Sequence, residues 1–140
     1  MEIVNNTTYQ NGQVVGYADI MVDQCTDVKV LNNIAYSPKG ARPIQVIRGS
    51  DVLVDYNLSF NGSEPPIGPN DMLADPQFVA PSTEWGLADF HPADGSPAAG
   101  TGDRTKAPAD DLEGNPRSSD QGAAKGALEP RPKPPDPDGA

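Results

Sequence analysis

One cysteine, one histidine and one tryptophan stand in a chain of 140 residues. A single thiol makes no intramolecular disulfide, so no disulfide framework holds this fold. The plain role for Cys25 is that of a small core residue. A single histidine excludes a histidine cluster for zinc. His91 could serve a serine nucleophile only through Ser82 or Ser96, and neither lies in a Gly-x-Ser-x-Gly elbow. Bases are also scarce, with 10 Lys and Arg against 20 Asp and Glu and a net charge of −10. Nucleic acid calls for basic stripes, and an anionic membrane surface repels such a chain. No apolar run is long enough to insert across a bilayer. Met1-Glu2-Ile3-Val4-Asn5 shows neither the basic start nor the apolar stretch of a signal peptide.

What the chain has is repetition. Ile20, Val22, Thr26, Asp27, Val28, Val30 and Asn33 recur as Ile44, Val46, Ser50, Asp51, Val52, Val54 and Asn57, at a constant offset of 24 residues. A fixed period marks an architecture in which each unit buries its apolar side against its neighbours. Within a unit the apolar residues alternate, in short β-branched runs separated by turn formers such as Arg48-Gly49-Ser50-Asp51 and Asn61-Gly62. That is strand patterning, without the 3.6-residue period of helical repeats. Three short strands and three turns per unit predict an all-β fold, a right-handed parallel β-helix of about three coils. Asn33 and Asn57 follow the second strand, where the chain turns sharply. Asparagine tolerates the left-handed conformation, and stacked copies can form a hydrogen-bonded ladder. Tyr36 and Phe60 lie three residues further on and are expected to stack as an internal aromatic column.

The organisation read from the chain has three parts: coils over 1–80, an irregular C-terminal cap over 81–129, and a Pro-rich tail over 130–140. The tail carries five prolines and no apolar side chain larger than alanine, and is expected to be a disordered linker. Ile3-Val4-Asn5-Asn6-Thr7-Thr8-Tyr9 matches Val30 to Tyr36 at an offset of 27, so the chain starts near the second strand of a coil. An open coil end exposes strand edges. The expectation is a C-terminal piece of a longer protein, with upstream β-helix coils and the signal sequence outside it.

Several short motifs follow the repeats in order: Gly68-Pro69-Asn70-Asp71, Ala74-Asp75-Pro76-Gln77-Phe78-Val79, Asp89-Phe90-His91, Gly95-Ser96-Pro97-Ala98, Asp111-Leu112-Glu113-Gly114-Asn115-Pro116-Arg117 and Gly126-Ala127-Leu128-Glu129. Together they resemble the C-terminal end of the bacterial right-handed β-helix proteins related to pectate lyases, which include alginate-lyase and chondroitinase-like members. Pro92 departs from the pattern, standing where an apolar residue is expected after His91. The resemblance implies a secreted or cell-surface parent acting on a polysaccharide, such as a polyuronate, as a lyase or glycosidase. In such lyases a base abstracts the proton alpha to the uronate carboxylate, which Ca2+ or an arginine neutralises. The groups concerned sit on the outer face of the sheets.

The outward positions expected here are Met21, Asp23, Gln45 and Ile47 on the first strand, and Lys29, Leu31, Leu53 and Asp55 on the second. Lys29 and Arg48 are the candidates for catalysis, with Lys39 and Arg42 the other bases of the region. No basic pair recurs in register, so this chain alone is expected to lack the full active site. Asp23, Gln45 and Trp85 are candidates for substrate binding, and Tyr17 offers a second flat ring for a sugar. Trp85 is expected to be partly buried at the cap. Asp19 with Asp23, or Asp103 with Asp110 and Asp111, are the places for a hard cation such as Ca2+, without the spacing of a calcium loop. The competing reading is a non-catalytic β-helical surface, carbohydrate-binding or adhesion module.

Overall fold

The computed structural model describes residues 1–14, 17–118, 122–132 and 134–135. Most of the expected tail from Lys133 onward, and part of the polar stretch after Ser118, lie outside the described residues. Among the described residues eleven strands occur: β1 (Glu2–Val4), β2 (Thr7–Tyr9), β3 (Ala18–Asp23), β4 (Thr26–Leu31), β5 (Ile34–Tyr36), β6 (Arg42–Ile47), β7 (Ser50–Asp55), β8 (Leu58–Phe60), β9 (Met72–Leu73), β10 (Phe78–Ala80) and β11 (Asp89–Pro92). No helix occurs among the described residues.

The chain makes repeated laps through three parallel sheets, ordered β1-β4-β7, β2-β5-β8-β9 and β3-β6. Ile20 pairs with Ile44, Val22 with Val46, Val28 with Val52 and Val30 with Val54. The offset seen in sequence is therefore the register between laps. A fourth, antiparallel pair joins β10 to β11.

Alternation along each strand divides the apolar residues between two cores. Ile20, Val22, Val28, Val30, Ala35, Ile44 and Val54 meet in the space enclosed by the three sheets. Fully burying a side chain of valine or isoleucine size contributes roughly 1.5–3 kcal/mol, so stacked identical residues hold successive laps together. The second core lies on the opposite face of the β2-β5-β8-β9 sheet. There Ile34, Leu58, Phe78 and Ala98 are buried, with Tyr9, Tyr36, Met72 and Phe90 packed on them.

This arrangement corrects the internal aromatic column. Ala35 faces the enclosed core, so its neighbours Ile34 and Tyr36 must face away from it. Tyr36 does meet Phe60, with ring centroids 4.9 Å apart, but on the outer face, where Tyr9, Phe78 and Phe90 complete the cluster. Burial, with Tyr9 and Asp75 nearby, pushes the Tyr36 phenol above its ordinary pKa. Leu31 is likewise corrected: expected on the open outer face, it is buried.

The turn from the first long sheet to the second occupies two residues. The first takes the left-handed conformation: Asn5 (φ 54), Asn32 (φ 58) and Tyr56 (φ 58). The second residue of each turn forms a row. The backbone N–H and Nδ2 of Asn6 donate to Oδ1 of Asn33 at 2.9 and 3.0 Å, and those of Asn33 donate to Oδ1 of Asn57, both at 2.9 Å. Those of Asn57 donate to Oδ1 of Asp71 at 2.7 and 3.1 Å. So it is the residue before Asn33 or Asn57 that is left-handed, while these two carry the hydrogen bonds. Gly68 must be glycine here, because a Cβ would lie 2.1 Å from the carbonyl oxygen of Val54.

The C-terminal segment straps the outside of the turns. The side chain of Asn32 accepts from the N–H of Asp103 (2.7 Å) and donates to its carbonyl (2.8 Å), as a neighbouring strand would. Nδ2 of Asn5 donates to the carbonyls of Ala124 and Gly126 at 2.9 and 3.1 Å. The buried Arg117 guanidinium pairs with Glu129 at 2.9 Å and also reaches the Gly126 and Ala127 carbonyls. Asp111 is buried and accepts from the N–H groups of Glu113, Asn115 and Glu129. Burial alone would raise its pKa; the donors from Glu129, Asn115 and Glu113 outweigh that and hold it below the ordinary carboxylate value.

Two predictions follow from these contacts. Asn33→Ala removes two donors and the acceptor of the neighbouring lap, and should destabilise the chain by about 2–4 kcal/mol in urea unfolding. Asp111 has a depressed pKa, so its contribution is complete above its unfolded value, about 4, and is lost as pH falls through the folded value. Asp111→Ala should therefore cost roughly 2 kcal/mol at neutral pH and progressively less in acid, measured by melts across pH 2–7.

Candidate functional site

Three loops leave the β2-β5-β8 sheet at the same end and stack like the laps that carry them. They follow Tyr9, Tyr36 and Phe60. Asp19, at the start of β3, ties the first two together: its carboxylate accepts from the N–H of Asn11 at 2.8 Å and from the Ser37 hydroxyl. Gln10 donates to the Ser37 carbonyl at 3.2 Å, and the Ser63 N–H donates to the Ala41 carbonyl at 3.0 Å. Between the loops lies an open cleft of about 590 Å³, lined by Tyr17, Lys39, Arg42 and Glu64 among others.

One aromatic ring and two bases thus line the same cleft. Tyr17 is 57% exposed. Arg42 pairs with Glu64 at 3.3 Å. Lys39 is exposed and has no carboxylate within ion-pair distance among the described residues. In the stacked laps the other bases are neutralised, Lys29 by Glu2 at 3.6 Å and Arg48 by Asp23 at 2.9 Å. Such a set can hold a negatively charged, flat-faced ligand through one free ammonium and one ring. It holds no free pair of bases.

The residues singled out in sequence are scattered. Lys29 lies on β4 opposite Leu53 of the next lap, and Arg48 follows β6. The two candidates for catalysis therefore share no sheet. Asp23 and Arg48 do meet, with Arg48 donating to both carboxylate oxygens at 2.9 and 3.0 Å, but each occupies the other. Gln45 pairs with Met21 across the sheet and lies near the Glu64–Ile67 loop, in a separate shallow depression. Trp85 reverses the expectation of partial burial: it is 101% exposed, on the turn between β10 and β11. Leu87, the other large apolar residue of that turn, is itself exposed.

The acidic groups also serve other ends. Asp19 binds loop backbone, Asp23 binds Arg48, and Asp103 caps Thr105. Asp111 is surrounded by N–H donors. No group of three or more His, Cys, Asp or Glu side chains that could hold a metal occurs among the described residues. What the sequence reading missed was the cleft. Its signal was present in the phase of the repeat, since Pro38-Lys39-Gly40 and Gly62-Ser63-Glu64 stand at equivalent places after the third strand of each lap.

Two charge centres lie in the cap. His91 is buried, with Nδ1 at 2.6 Å from Asp89 and Nε2 against Glu113, while Arg131 lies against Asp89. Ser82 and Ser96 are not its partners; Ser96 donates to the Pro76 carbonyl at 2.6 Å. Lys125 is 0% exposed, and its Nζ has no hydrogen-bond partner among the described residues. Burial pushes its pKa down to about 8, against the pull of Asp71 and Asp55 in the other direction.

Set against known proteins, the chain matches no family model and no curated sequence.

The buried ammonium has a measurable consequence. Between pH 8 and the ordinary lysine value of 10.5 the folded chain has released a proton that the unfolded chain still holds. The unfolded state then binds more protons, so stability rises with pH through that window. Lys125→Met should be more stable than the parent at pH 7, by about 3 kcal/mol at most. Its advantage should shrink as pH rises from 8 to 10.5, in paired denaturant titrations.

Proposed function

We propose that this chain forms the closing coils and cap of a right-handed parallel β-helix in a secreted or cell-surface polysaccharide-active protein of lyase or glycosidase type. Its own part is to close the solenoid and contact the glycan, with the full active site assembled on coils other than these. The order of the cap motifs and their resemblance to the pectate-lyase-like ending support this reading. One observation carries it: among the described residues Lys39 has no carboxylate partner in the cleft that Tyr17 also lines, whereas Lys29, Arg42 and Arg48 are each paired with a carboxylate. That suits holding a uronate carboxylate against an aromatic face, and leaves no base poised for the alpha proton. Any calcium would act as a bridge between glycan and protein carboxylates, which favours testing with and without the ion.

A second reading, a non-catalytic carbohydrate-binding surface, is favoured by the complete exposure of Trp85. Exposed indoles suit the apolar faces of pyranose rings.

The test uses oligomers of pectate, alginate and chondroitin, with and without calcium. We expect weak binding of at least one uronate oligomer and no rise in absorbance from unsaturated product. Lys39→Ala or Tyr17→Ala should weaken binding about tenfold, equivalent to about 1.4 kcal/mol. Product formation by this chain would overturn the proposed division of labour. Loss of binding on Trp85→Ala, with Lys39→Ala unaffected, would move the site to the β10–β11 turn and support the second reading.

A further inference from the structure

The asparagine row has a direction. In each step the lower-numbered lap donates and the higher-numbered lap accepts, from Asn6 to Asn33, Asn33 to Asn57 and Asn57 to Asp71. Asparagine can continue such a row because its side chain both donates and accepts, whereas a carboxylate only accepts. Asp71 therefore terminates it, and its second oxygen takes the N–H of Gly68 at 2.9 Å. At the other end Asn6 donates from Nδ2 to Asn33 and to the Val4 carbonyl, at 3.0 and 3.2 Å. Its Oδ1 receives no donor from the described residues, and the residue is exposed. One end of the row is closed and the other is open.

The backbone repeats this asymmetry. Among the described residues β1 pairs only with β4, and β2 only with β5. Met1 and Asn5 turn their hydrogen-bonding groups to β4, so the alternate residues Glu2 and Val4 turn theirs away. Asn6 and Gln10 turn to β5, which leaves Thr7 and Tyr9 facing outward along the edge. Two grooves border this edge, of about 400 and 450 Å³, with Thr7 and Leu112 in the walls of both. Leu112 is 79% exposed and overhangs the edge from the cap side.

We propose that the free edge of β1 and β2 is an interface for one further layer of parallel strands, carrying an asparagine that donates to Oδ1 of Asn6. The partner is thus a β-solenoid lap in the same orientation as those present, with a side-chain amide at the turn. A second copy of this chain fits poorly. Its opposite end is sealed by Asp71 and the Gly68 loop, and reversed pairing of two open ends would set the two Asn6 acceptors against each other. The inference rests on the closing-end reading for the source of the layer, but its geometry stands on the row alone.

The test is the full chain with a copy of residues Thr26 to Asp51 placed ahead of Met1. In that copy the asparagine corresponding to Asn33 falls 24 residues before Asn6, the spacing of the existing step from Asn33 to Asn57. We expect amide exchange at Glu2, Val4, Thr7 and Tyr9 to slow at least tenfold relative to the parent, with a higher melting temperature. Asn→Ala at the ladder position of the copy should return most of that protection. Unchanged exchange in the extended chain would overturn the proposal, as would equal protection with and without that asparagine. So would slow exchange at these amides in a dimer of the parent, seen by sedimentation. Failure of the glycan assays would leave all of these readouts untouched, so the two ideas fail separately.

Discussion

The rest of the structure depends on how a two-residue turn keeps its backbone satisfied inside a packed solenoid-like stack. At each passage between the two long sheets, one residue goes left-handed and the next buries its amide. Asn33 and Asn57 are 0% exposed, so an unmet donor or acceptor there would cost about 1–3 kcal/mol. Stacking identical turns solves this for every lap at once. The amide of one lap answers the N–H of the lap before it, and the lateral carbonyls of Ile3 and Val30 take the remaining Nδ2 hydrogen. Serine could not do this, since it lacks a planar group that donates and accepts in opposite directions.

Given that turn, the C-terminal half becomes a cover. The outer face of the β2-β5-β8-β9 sheet is apolar, so it must be roofed, and β10, β11 and the strap do so. The strap is held by polar anchors at the turns, with Asn5 and Asn32 reaching outward while Asn6, Asn33 and Asn57 run along the row. Adjacent residues of one turn thus divide the work between stacking and roofing. Gly126 completes the fit: it has φ +87°, and a Cβ would lie 2.7 Å from the side chains of both Ile34 and Thr7. Pro92, the departure from the expected motif, is fully buried in the same region, where its lack of a strong polar group suits an apolar roof.

The strands and their register were legible because they are periodic. A matched offset is a statement about which residues become neighbours, and Ile20 with Ile44 or Val30 with Val54 needed no further information. The side on which a residue lies was less legible. Period two says that Ile34 and Tyr36 share a face opposite Ala35, but not which face looks inward, and the larger residues were assigned to the wrong one. The reason is that both faces are buried, so size does not discriminate. The matched hydroxyls of Thr26 and Ser50 bond each other at 2.9 Å, and the left-handed conformation falls on the next residues, Asp27 and Asp51. Trp85 was misjudged because apolar character alone does not specify a cover. The cleft escaped notice for a different cause. Its residues come from loops whose sequences share little, and only the stacking of the laps brings Tyr17, Lys39 and Arg42 together.

The charge of this acidic chain needs a local rather than a global account. At physiological salt, interactions beyond about 8 Å are largely screened, so the net charge of −10 matters less than the groups within one sugar ring of the ligand. On the sheet faces each base is compensated by a neighbour from the adjacent lap, which leaves little field. At the loop end the compensation is incomplete, because Glu64 answers Arg42 and no carboxylate among the described residues answers Lys39. The free ammonium stands where the loops hold Tyr17 away from the core, so charge and aromatic surface coincide in one open cleft. A ligand with a carboxylate and an apolar ring face would use both, while a neutral sugar would gain only the ring. On the proposed reading the cleft would favour a uronate over its neutral counterpart, a preference that net charge would hide.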